Sequence, residues 1–157
     1  MIIHESWKYV RDKIVKPCLN IGCGKFLFQH MDNLDVIENP KKPLQITEDF
    51  THSKIPDKSY NTVLLLNVIE HVRNPCIFIE QCYRILKENG ILIISAPFST
   101  NIHRQPEDFW RFTKEGLILL CLSFGFKFKE IQGYNKKVFT KIGDEQVWSY
   151  YRGVFEK

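Results

Sequence analysis

The sequence predicts a three-layer α/β fold, in which a mostly parallel sheet lies between helices and ends in a carboxyl-terminal antiparallel hairpin. Between residues 18 and 94, short continuous apolar runs alternate with segments of helical periodicity, as in a sheet whose central strands are buried on both faces. From residue 126 the apolar pattern changes to period two, which is typical of half-exposed antiparallel strands. A chain of 157 residues suits one domain, expected to span 1–157.

The amino-terminal quarter predicts a helix followed by the first buried strand. One face of a helix over 3–16 carries a set of apolar side chains, namely Ile3, Trp7, Val10, Ile14 and Val15. Pro17 should end this helix, because the residue before a proline disfavours helical geometry. The apolar run 18–21 then predicts a strand that enters a glycine turn at 22–24.

The middle of the chain predicts further strands and a well-capped helix. Segments 34–37 and 44–47 are candidate strands, the second with the weaker pattern, and the apolar run 62–66 predicts a central parallel strand. Asn74 should cap a helix that begins at Pro75 and stops at 89–90. The apolar face of this helix consists of Phe78, Cys82, Ile85 and Leu86.

The last third predicts one strand, one helix and the closing hairpin. The run 91–94 is apolar on both faces, and Thr113 should cap a helix over 114–123 that Gly125 terminates. Residues 126–131 and part of 147–155 alternate and should form the antiparallel pair.

Composition excludes several classes of protein. The 22 basic and 18 acidic side chains give a net charge of +4, and the lysines are scattered, which argues against a nucleic-acid partner. The five cysteines form no CxxC pair, so we expect neither a disulfide framework nor a metal site, and we expect a cytoplasmic location. No apolar stretch approaches the roughly 18 residues of a membrane span, and the amino terminus does not have the pattern of a signal peptide.

The glycine turn marks the expected ligand site. In open α/β sheets, ligands bind beyond the carboxyl ends of the strands, where the strand order reverses. Gly22 and Gly24 follow the first predicted strand and would let a ligand approach the backbone closely. A GxG triplet alone is equally compatible with a simple tight turn.

Further motifs in the chain resemble those of one enzyme family. LNIGCG (19–24), NLDV (33–36), EDF (48–50), PDKSYNTVLLLNVIEHV (56–72) and RILKENGILIISAPF (84–98) together resemble the class I S-adenosylmethionine-dependent methyltransferases. The segment HRQPEDFWRFT (103–113) is similar to one found in a compact subgroup of that family. The resemblance implies a Rossmann-like fold, S-adenosylmethionine as cofactor and S-adenosylhomocysteine as product.

The resemblance also implies which residues would bind the cofactor. Asp35 would accept hydrogen bonds from both ribose hydroxyls, with Glu38 as the competing candidate. Asp49 would lie at the adenine amino group with Phe50 near the ring, and Asn67 would lie near the sulfonium. The turn facing the methionine portion would be lined by Asn20, Gly22, Cys23 and Gly24.

The chain departs from the family pattern in three respects. Lys25 follows Gly24, where the family often has a further glycine-containing step. Only about ten residues separate Gly24 from Asp35, so the first crossover helix should be vestigial. Asn20 and Asn61 stand where acidic residues are common in the family.

Two histidines are the candidate catalytic residues. Methyl transfer from a sulfonium depends mainly on positioning, although an oxygen acceptor also needs a general base, for which histidine is the usual choice. The resemblance implies that His71 faces the methyl group, whereas the alternative role for His71 is to cap local backbone. His103 lies in the segment that commonly closes over the acceptor pocket in similar proteins.

The rest of that segment supplies candidate acceptor-binding residues. Arginine suits anionic partners and tryptophan offers a flat apolar wall for a sugar or ring. The candidates are Arg104, Asp108, Trp110 and Arg111. In the alternative interpretation, Asp108 and Arg111 form an ion pair while the aromatic side chains of Phe109, Trp110 and Phe112 anchor the loop to the core.

The function predicted is that of a methyltransferase acting on a small polar acceptor, for which a sugar or another metabolite hydroxyl is suggested only by analogy with the similar subgroup. The competing function is that of an inactive module that holds the cofactor within a complex. A nicotinamide-dependent oxidoreductase is expected to have a complete GxGxxG motif, and a nucleic-acid methyltransferase is expected to have an NPPY-like base-flipping motif. The sequence contains neither motif. The oligomeric state is left open.

Overall fold

The computed structural model describes residues 9–24, 27–37, 46–103, 106–134, 140–142 and 145–157, with the side chains of 140–147 left out of the description. The strands are, in chain order, β1 (Cys18–Ile21), β2 (Asp32–Asp35), β3 (Ile46–Thr47), β4 (Tyr60–Leu66), β5 (Leu86–Pro97), β6 (Lys127–Tyr134), β7 (Thr140–Ile142), β8 (Glu145–Val147) and β9 (Tyr150–Glu156). The helices are α1 (Pro75–Ile85) and α2 (Lys114–Leu122), and single 3₁₀ turns lie at Arg11–Lys13, Phe50–His52 and Ile69–His71.

Seven of the strands form one sheet in the order β3-β2-β1-β4-β5-β9-β6. The first five strands pair in parallel, whereas β9 is antiparallel to both β5 and β6. The strands β7 and β8 pair separately, between β6 and β9 in the chain. The predicted α/β fold with a mostly parallel sheet and a carboxyl-terminal antiparallel hairpin is therefore confirmed. The strand order reverses between β1 and β4, which places the expected ligand crevice there.

The central strands are buried on both faces. Val63, Leu64 and Leu65 of β4 are all fully buried, with Val63 and Leu65 in one apolar cluster and Leu64 in another. Successive side chains of a strand point to opposite faces, so both sides of the sheet are covered. This double burial explains the unbroken apolar run, and each such leucine contributes about 1.5–3 kcal/mol to stability.

Both predicted helix starts are confirmed. The Asn74 side chain accepts a hydrogen bond from the Ile77 N–H at 3.4 Å, and the Thr113 hydroxyl accepts one from the Gly116 N–H at 3.0 Å. These bonds satisfy backbone donors that have no partner within the helix. The helix predicted over 114–123 ends one residue earlier, at Leu122.

The prediction that the first helix continues to Pro17 is wrong. Within its described part, Tyr9 and Val10 are helical, Arg11–Lys13 is a 3₁₀ turn, and Ile14 is already extended. The cause is a tertiary contact, because the N–H and C=O of Val15 both bond to the Thr62 hydroxyl at 2.9 Å. Residues 3–8 of the predicted helix lie outside the described residues.

The predicted end of the second helix at 89–90 is also wrong. Helix α1 ends at Ile85, and Leu86 is extended, fully buried and paired with Tyr60. The last carbonyls of the helix accept hydrogen bonds from the turn before β4, where the Ser59 N–H bonds to the Ile85 carbonyl at 2.8 Å. Burial of Leu86 in the sheet therefore overrides the helical tendency of the residues after it.

The second strand lies two residues earlier than predicted. It covers Asp32–Asp35, and Val36 and Ile37 beyond it are exposed. Of the third candidate strand at 44–47, Ile46–Thr47 is a strand, while 44–45 lie outside the described residues. The fourth strand begins at Tyr60 rather than at residue 62.

In the part of the chain that the structure describes, no helix has the length and apolarity needed to cross a membrane. All five cysteines are free thiols, and four of them are buried.

Candidate active site

The glycine bend after β1 touches the end of β4 and leaves open space beyond it. Gly22 and Gly24 have φ of +63° and +51°, a region that side chains with a Cβ disfavour. A Cβ on Gly22 would lie 2.6 Å from a methyl carbon of Val68, whereas a Cβ on Gly24 would meet nothing within 4 Å. The Gly22 N–H bonds to the Leu34 carbonyl at 2.8 Å, so the bend is also fixed to the end of β2.

Asp35 lies at this bend. Its Oδ2 accepts the Gly24 N–H at 2.7 Å, and its Oδ1 accepts the Ile37 N–H at 3.2 Å. A carboxylate has about four acceptor positions, so each oxygen keeps one for a further donor. Among the described residues, this half-buried acid therefore keeps two acceptor positions beside the open bend.

The side chains of Asn20 and Cys23 face the interior. Asn20 is buried and donates to the Asn33 Oδ1 at 3.0 Å. Burial raises the pKa of the Cys23 thiol to about 11, so this thiol stays protonated at neutral pH. The side chains of these two predicted residues are therefore buried rather than exposed to a ligand.

Asn33 is a structural residue that the sequence reasoning missed. Its side-chain oxygen also accepts the Phe28 N–H at 3.1 Å, and its side-chain nitrogen donates to the carbonyls of Phe28 and Met31, both at 3.0 Å. The described residues between β1 and β2 include no helix. One buried amide thus organises a connection in which a crossover helix is usual.

The side chains of Asp49 and Phe50, which follow β3, lie in different environments. Asp49 is exposed, and its Oδ1 accepts the N–H and the hydroxyl of Thr51 at 2.9 and 2.7 Å, bonds that lower the pKa of the carboxyl. Phe50 is almost fully buried, and its ring meets the edge of Phe78 with centroids 4.8 Å apart. Asp49 is therefore accessible to a ligand, while Phe50 belongs to the core beneath it.

Asn67 holds the tip of β4 to β5. Its φ is +56°, and its N–H bonds to the Ser95 carbonyl and hydroxyl, each at 3.1 Å. The Ser95 hydroxyl donates to the Asn67 Oδ1 at 3.0 Å. Ser95, which the sequence reasoning did not single out, thus fixes the turn that leads to Val68.

The two candidate catalytic histidines meet, although 32 positions separate them in the chain. Their Nε2 atoms lie 3.1 Å apart, with the rings nearly perpendicular at 87°. The Nδ1 of His71 lies 2.8 Å from the Glu107 carbonyl, and the Nδ1 of His103 lies 3.2 Å from the Asp108 carboxylate. The fold therefore gathers both rings at the carboxyl ends of β4 and β5.

The candidate acceptor-binding residues lie in the segment 103–113, which we call the acceptor loop. Two of them, Asp108 and Arg111, form a structural ion pair, whereas the ring of Trp110 is partly exposed. Both Nη atoms of Arg111 bond to the fully buried carboxylate of Asp108, which holds the pKa of that carboxyl well below its usual range. The Trp110 indole donates to the Val72 carbonyl at 2.8 Å, while 41% of this residue remains exposed. Phe109 is also exposed, and Phe112 packs on the core. Arg104 lies outside the described residues.

Glu70 is the most unusual residue beside the histidines, and the sequence reasoning missed it. Its side chain is 0% exposed, and neither carboxyl oxygen has a hydrogen-bond partner among the described residues. Burial raises the pKa of this carboxyl to about 8. The Oε1 atom lies 3.7 Å from the Nε2 of His71. An acid directly before a candidate catalytic histidine was the available signal.

Comparison with known proteins supplies the context for this site. A methyltransferase domain model matches residues 19–94. A ubiquinone biosynthesis O-methyltransferase from Glaesserella parasuis is 31% identical over 117 residues, which cover 62% of this chain and 50% of the relative. A probable S-adenosylmethionine-dependent methyltransferase from Mycolicibacterium smegmatis is 35% identical over 43 residues, covering 27% of this chain and 17% of the relative. The chain therefore spans at most about half the length of these relatives.

Solved structures share the fold at low identity. A methyltransferase from Archaeoglobus fulgidus matches with a TM-score of 0.77 and 16% identity, covering 99% of this chain and 93% of the other. A possible histamine N-methyltransferase from Thermotoga maritima gives a TM-score of 0.73 with 17% identity, over 99% and 95% of the two chains. The 1,6-didemethyltoxoflavin-N1-methyltransferase of Burkholderia thailandensis, solved with S-adenosylhomocysteine, gives a TM-score of 0.74 with 14% identity, over 99% and 77%.

The domain match covers the glycine bend, the acid at the end of β2, the whole of β4 and most of β5. The chain is therefore similar to methyltransferases in this region, and it shares the fold of solved S-adenosylmethionine-dependent methyltransferases.

Proposed function

We propose that the chain transfers the methyl group of S-adenosylmethionine to a hydroxyl of a small polar acceptor, and that residues 1–157 act as one domain. The observation that carries this proposal is the Asp35 carboxylate, held at an open glycine bend with two acceptor positions that no described residue uses. An oxygen acceptor is supported by the paired imidazoles and by the G. parasuis relative, which is named as an O-methyltransferase.

At one end of the site, residues of this chain would bind the cofactor and orient it. Asp35 would accept both ribose hydroxyls, while Gly22 and Gly24 let the methionine portion approach the backbone. The exposed Asp49 would receive the adenine amino group, and Asn67 shapes the backbone at the end of β4. The cofactor supplies an activated methyl group on a sulfonium, so orientation of donor and acceptor provides most of the rate.

At the acceptor end, His71 and His103 would receive the hydroxyl whose oxygen is methylated. The exposed face of Trp110 offers an apolar wall beside them, and the Asp108–Arg111 pair holds the loop in place. Arg104, in the same loop, is the proposed contact for an anionic group on the acceptor. The five free thiols support the proposed cytoplasmic location.

The cofactor site is tested by calorimetric titration of S-adenosylhomocysteine into the wild-type protein and Asp35→Asn. We expect the substitution to weaken binding by about 1–3 kcal/mol, or roughly 5- to 150-fold, because the neutral amide loses the charge-assisted bonds. The matched control is Asp32→Asn at the other end of β2, where the carboxylate accepts the Tyr60 hydroxyl at 2.8 Å. This control should bind the ligand as the wild type does.

Equal affinity in Asp35→Asn would move the ribose contact to another residue, with Glu38 as the next candidate. No binding of S-adenosylhomocysteine by the folded wild-type protein would overturn the proposed activity itself.

A further inference from the structure

We propose that Glu70, His71 and His103 bind a divalent metal ion of the zinc class, a site that the sequence alone does not indicate. The three side chains each offer one ligand atom, and these atoms lie within 4.8 Å of one another. Two imidazoles and one carboxylate, with positions left open, are a ligand set that suits zinc and other first-row divalent ions.

The first observation is the unpartnered carboxyl group of Glu70, which is fully buried and has no hydrogen-bond partner among the described residues. Burial favours the protonated form of such a group, and its ionised form is found buried where it is paired or coordinates a metal ion. Arg111 donates to Asp108 through both of its Nη atoms. The Nε2 of His71 lies 3.7 Å from the Oε1 of Glu70. A cation between Glu70 and this nitrogen would satisfy the carboxylate.

The second observation is the contact between the two imidazoles. The Nδ1 of His71 lies 2.8 Å from a carbonyl oxygen, which can only accept, so this nitrogen carries hydrogen. In a neutral His71 ring the Nε2 atom is then a bare lone pair, and it lies 3.1 Å from the Nε2 of His103. This lone pair needs a proton or a metal ion on the side that faces His103.

The third observation is the orientation of each ring by an outer partner. Histidines that bind metals usually donate their other N–H to a carbonyl or a carboxylate, which fixes the ring and raises its basicity. His71 has the Glu107 carbonyl in that position at 2.8 Å, and His103 has Asp108 at 3.2 Å. The Asp108 carboxylate is itself held by Arg111. The outer partner of His71 therefore matches that of a metal ligand, and His103 has a carboxylate within ion-pair distance of its Nδ1.

The distances require only a small adjustment on binding. Ligand atoms bound to one ion at about 2.0–2.2 Å lie at most about 4.4 Å apart, against the present spread of 4.8 Å. The His103 side chain is 48% exposed and is the ligand best able to move. The other two ligands lie on the short turn that follows β4, where Glu70 is buried and the His71 side chain is 13% exposed.

This inference deepens the proposed function and rests on it for its chemical consequence. An ion held by three protein ligands keeps a position for an acceptor oxygen, and a metal-bound hydroxyl gives its proton to solvent water far more readily than a free one. The two histidines would then act on the acceptor as ligands of the ion.

The experiment is a titration of the full chain, first stripped with a chelator, with Zn²⁺ followed by calorimetry and with Co²⁺ followed by visible absorption. We expect one ion per chain. Glu70→Gln and His103→Asn should each weaken Zn²⁺ binding by about tenfold or more. The matched control is His52→Asn, which removes an exposed histidine outside the cluster and should leave the affinity unchanged.

Absence of saturable one-to-one binding would overturn the metal site, and would leave a proton shared by the imidazoles as the bridging cation. Loss of binding in His52→Asn with retention in His103→Asn would overturn it too, because the ion would then lie on the surface. Glu70 is buried, so its variant can fail to fold; in that case the exposed His103 decides the test. Titration with S-adenosylhomocysteine in the same samples separates failure of the metal site from failure of the proposed methyltransferase function.

Discussion

At the scale of single residues, the glycine bend is the most constrained point of the site. Gly22 combines a positive φ with contact to Val68, so both its backbone angle and the space around it exclude a side chain. Gly24 shares the positive φ but faces open space. The two glycines therefore have different roles, since one lets the end of β4 pack closely and the other leaves room for a ligand.

We predict that Gly22→Ala destabilises the protein more than Gly24→Ala. Both substitutions carry the cost of about 1–2 kcal/mol for a left-handed residue, and Gly22→Ala adds roughly 1–3 kcal/mol for crowding Val68. Urea unfolding measures the difference. In the double variant Gly22→Ala, Val68→Ala, the crowding is relieved. Its loss of unfolding free energy should therefore be smaller than the sum of the losses in the two single variants. Equal destabilisation by the two glycine variants would contradict the contact.

At the scale of elements, helix α2 starts where the loop with His103 and Asp108 ends. The Thr113 side chain caps this helix, and Leu117 and Cys121 bury its inner face against the core. Leu119 and Leu122 are exposed on the outer side. The helix therefore fixes one end of the acceptor loop through its cap and its buried face.

We predict that Thr113→Ala costs about 1 kcal/mol of stability, because the Gly116 N–H loses its acceptor. Thr113→Ser keeps a hydroxyl and should stay close to the wild type. Chemical denaturation of the three proteins measures the effect. If serine and alanine are equally destabilising, the methyl group of threonine matters more than the cap.

At the scale of the whole molecule, the last strand completes the core. Strand β9 lies between β5 and β6, so the end of the chain pairs with two strands from earlier in the sequence. Phe155 is fully buried and contacts the rings of Phe126 and Phe128. The sheet beside the histidine loop is therefore incomplete until the final residues have folded.

We predict that Phe155→Ala destabilises the protein by about 3–5 kcal/mol, since truncation of a buried phenylalanine leaves a cavity. Leu119→Ala is the matched control, because Leu119 is 66% exposed, and its effect should lie within about 0.5 kcal/mol of zero. Thermal unfolding with a common probe measures both. A Phe155→Ala variant as stable as the control would show that β9 contributes little to the core.

The prediction from sequence was most accurate where local pattern and burial agree. The apolar runs of β1, β4 and β5 and the caps at Asn74 and Thr113 were recognised, because strand burial and capping leave direct marks in neighbouring residues. The helix ends at Lys13 and Ile85 were not, because contacts with β4 set them.

Local sequence patterns were enough to locate the successive parallel strands, the glycine bend and the acid at the end of β2, since each depends on residues close together in the chain. Three features became visible only in the folded chain: β9 inserts between β5 and β6, His71 and His103 face each other, and Glu70 is buried without a donor among the described residues. These features join residues that are distant along the chain or depend on the surroundings of one side chain. Burial and contact are properties of the folded molecule, and a linear pattern records them only when they repeat with the period of a helix or a strand.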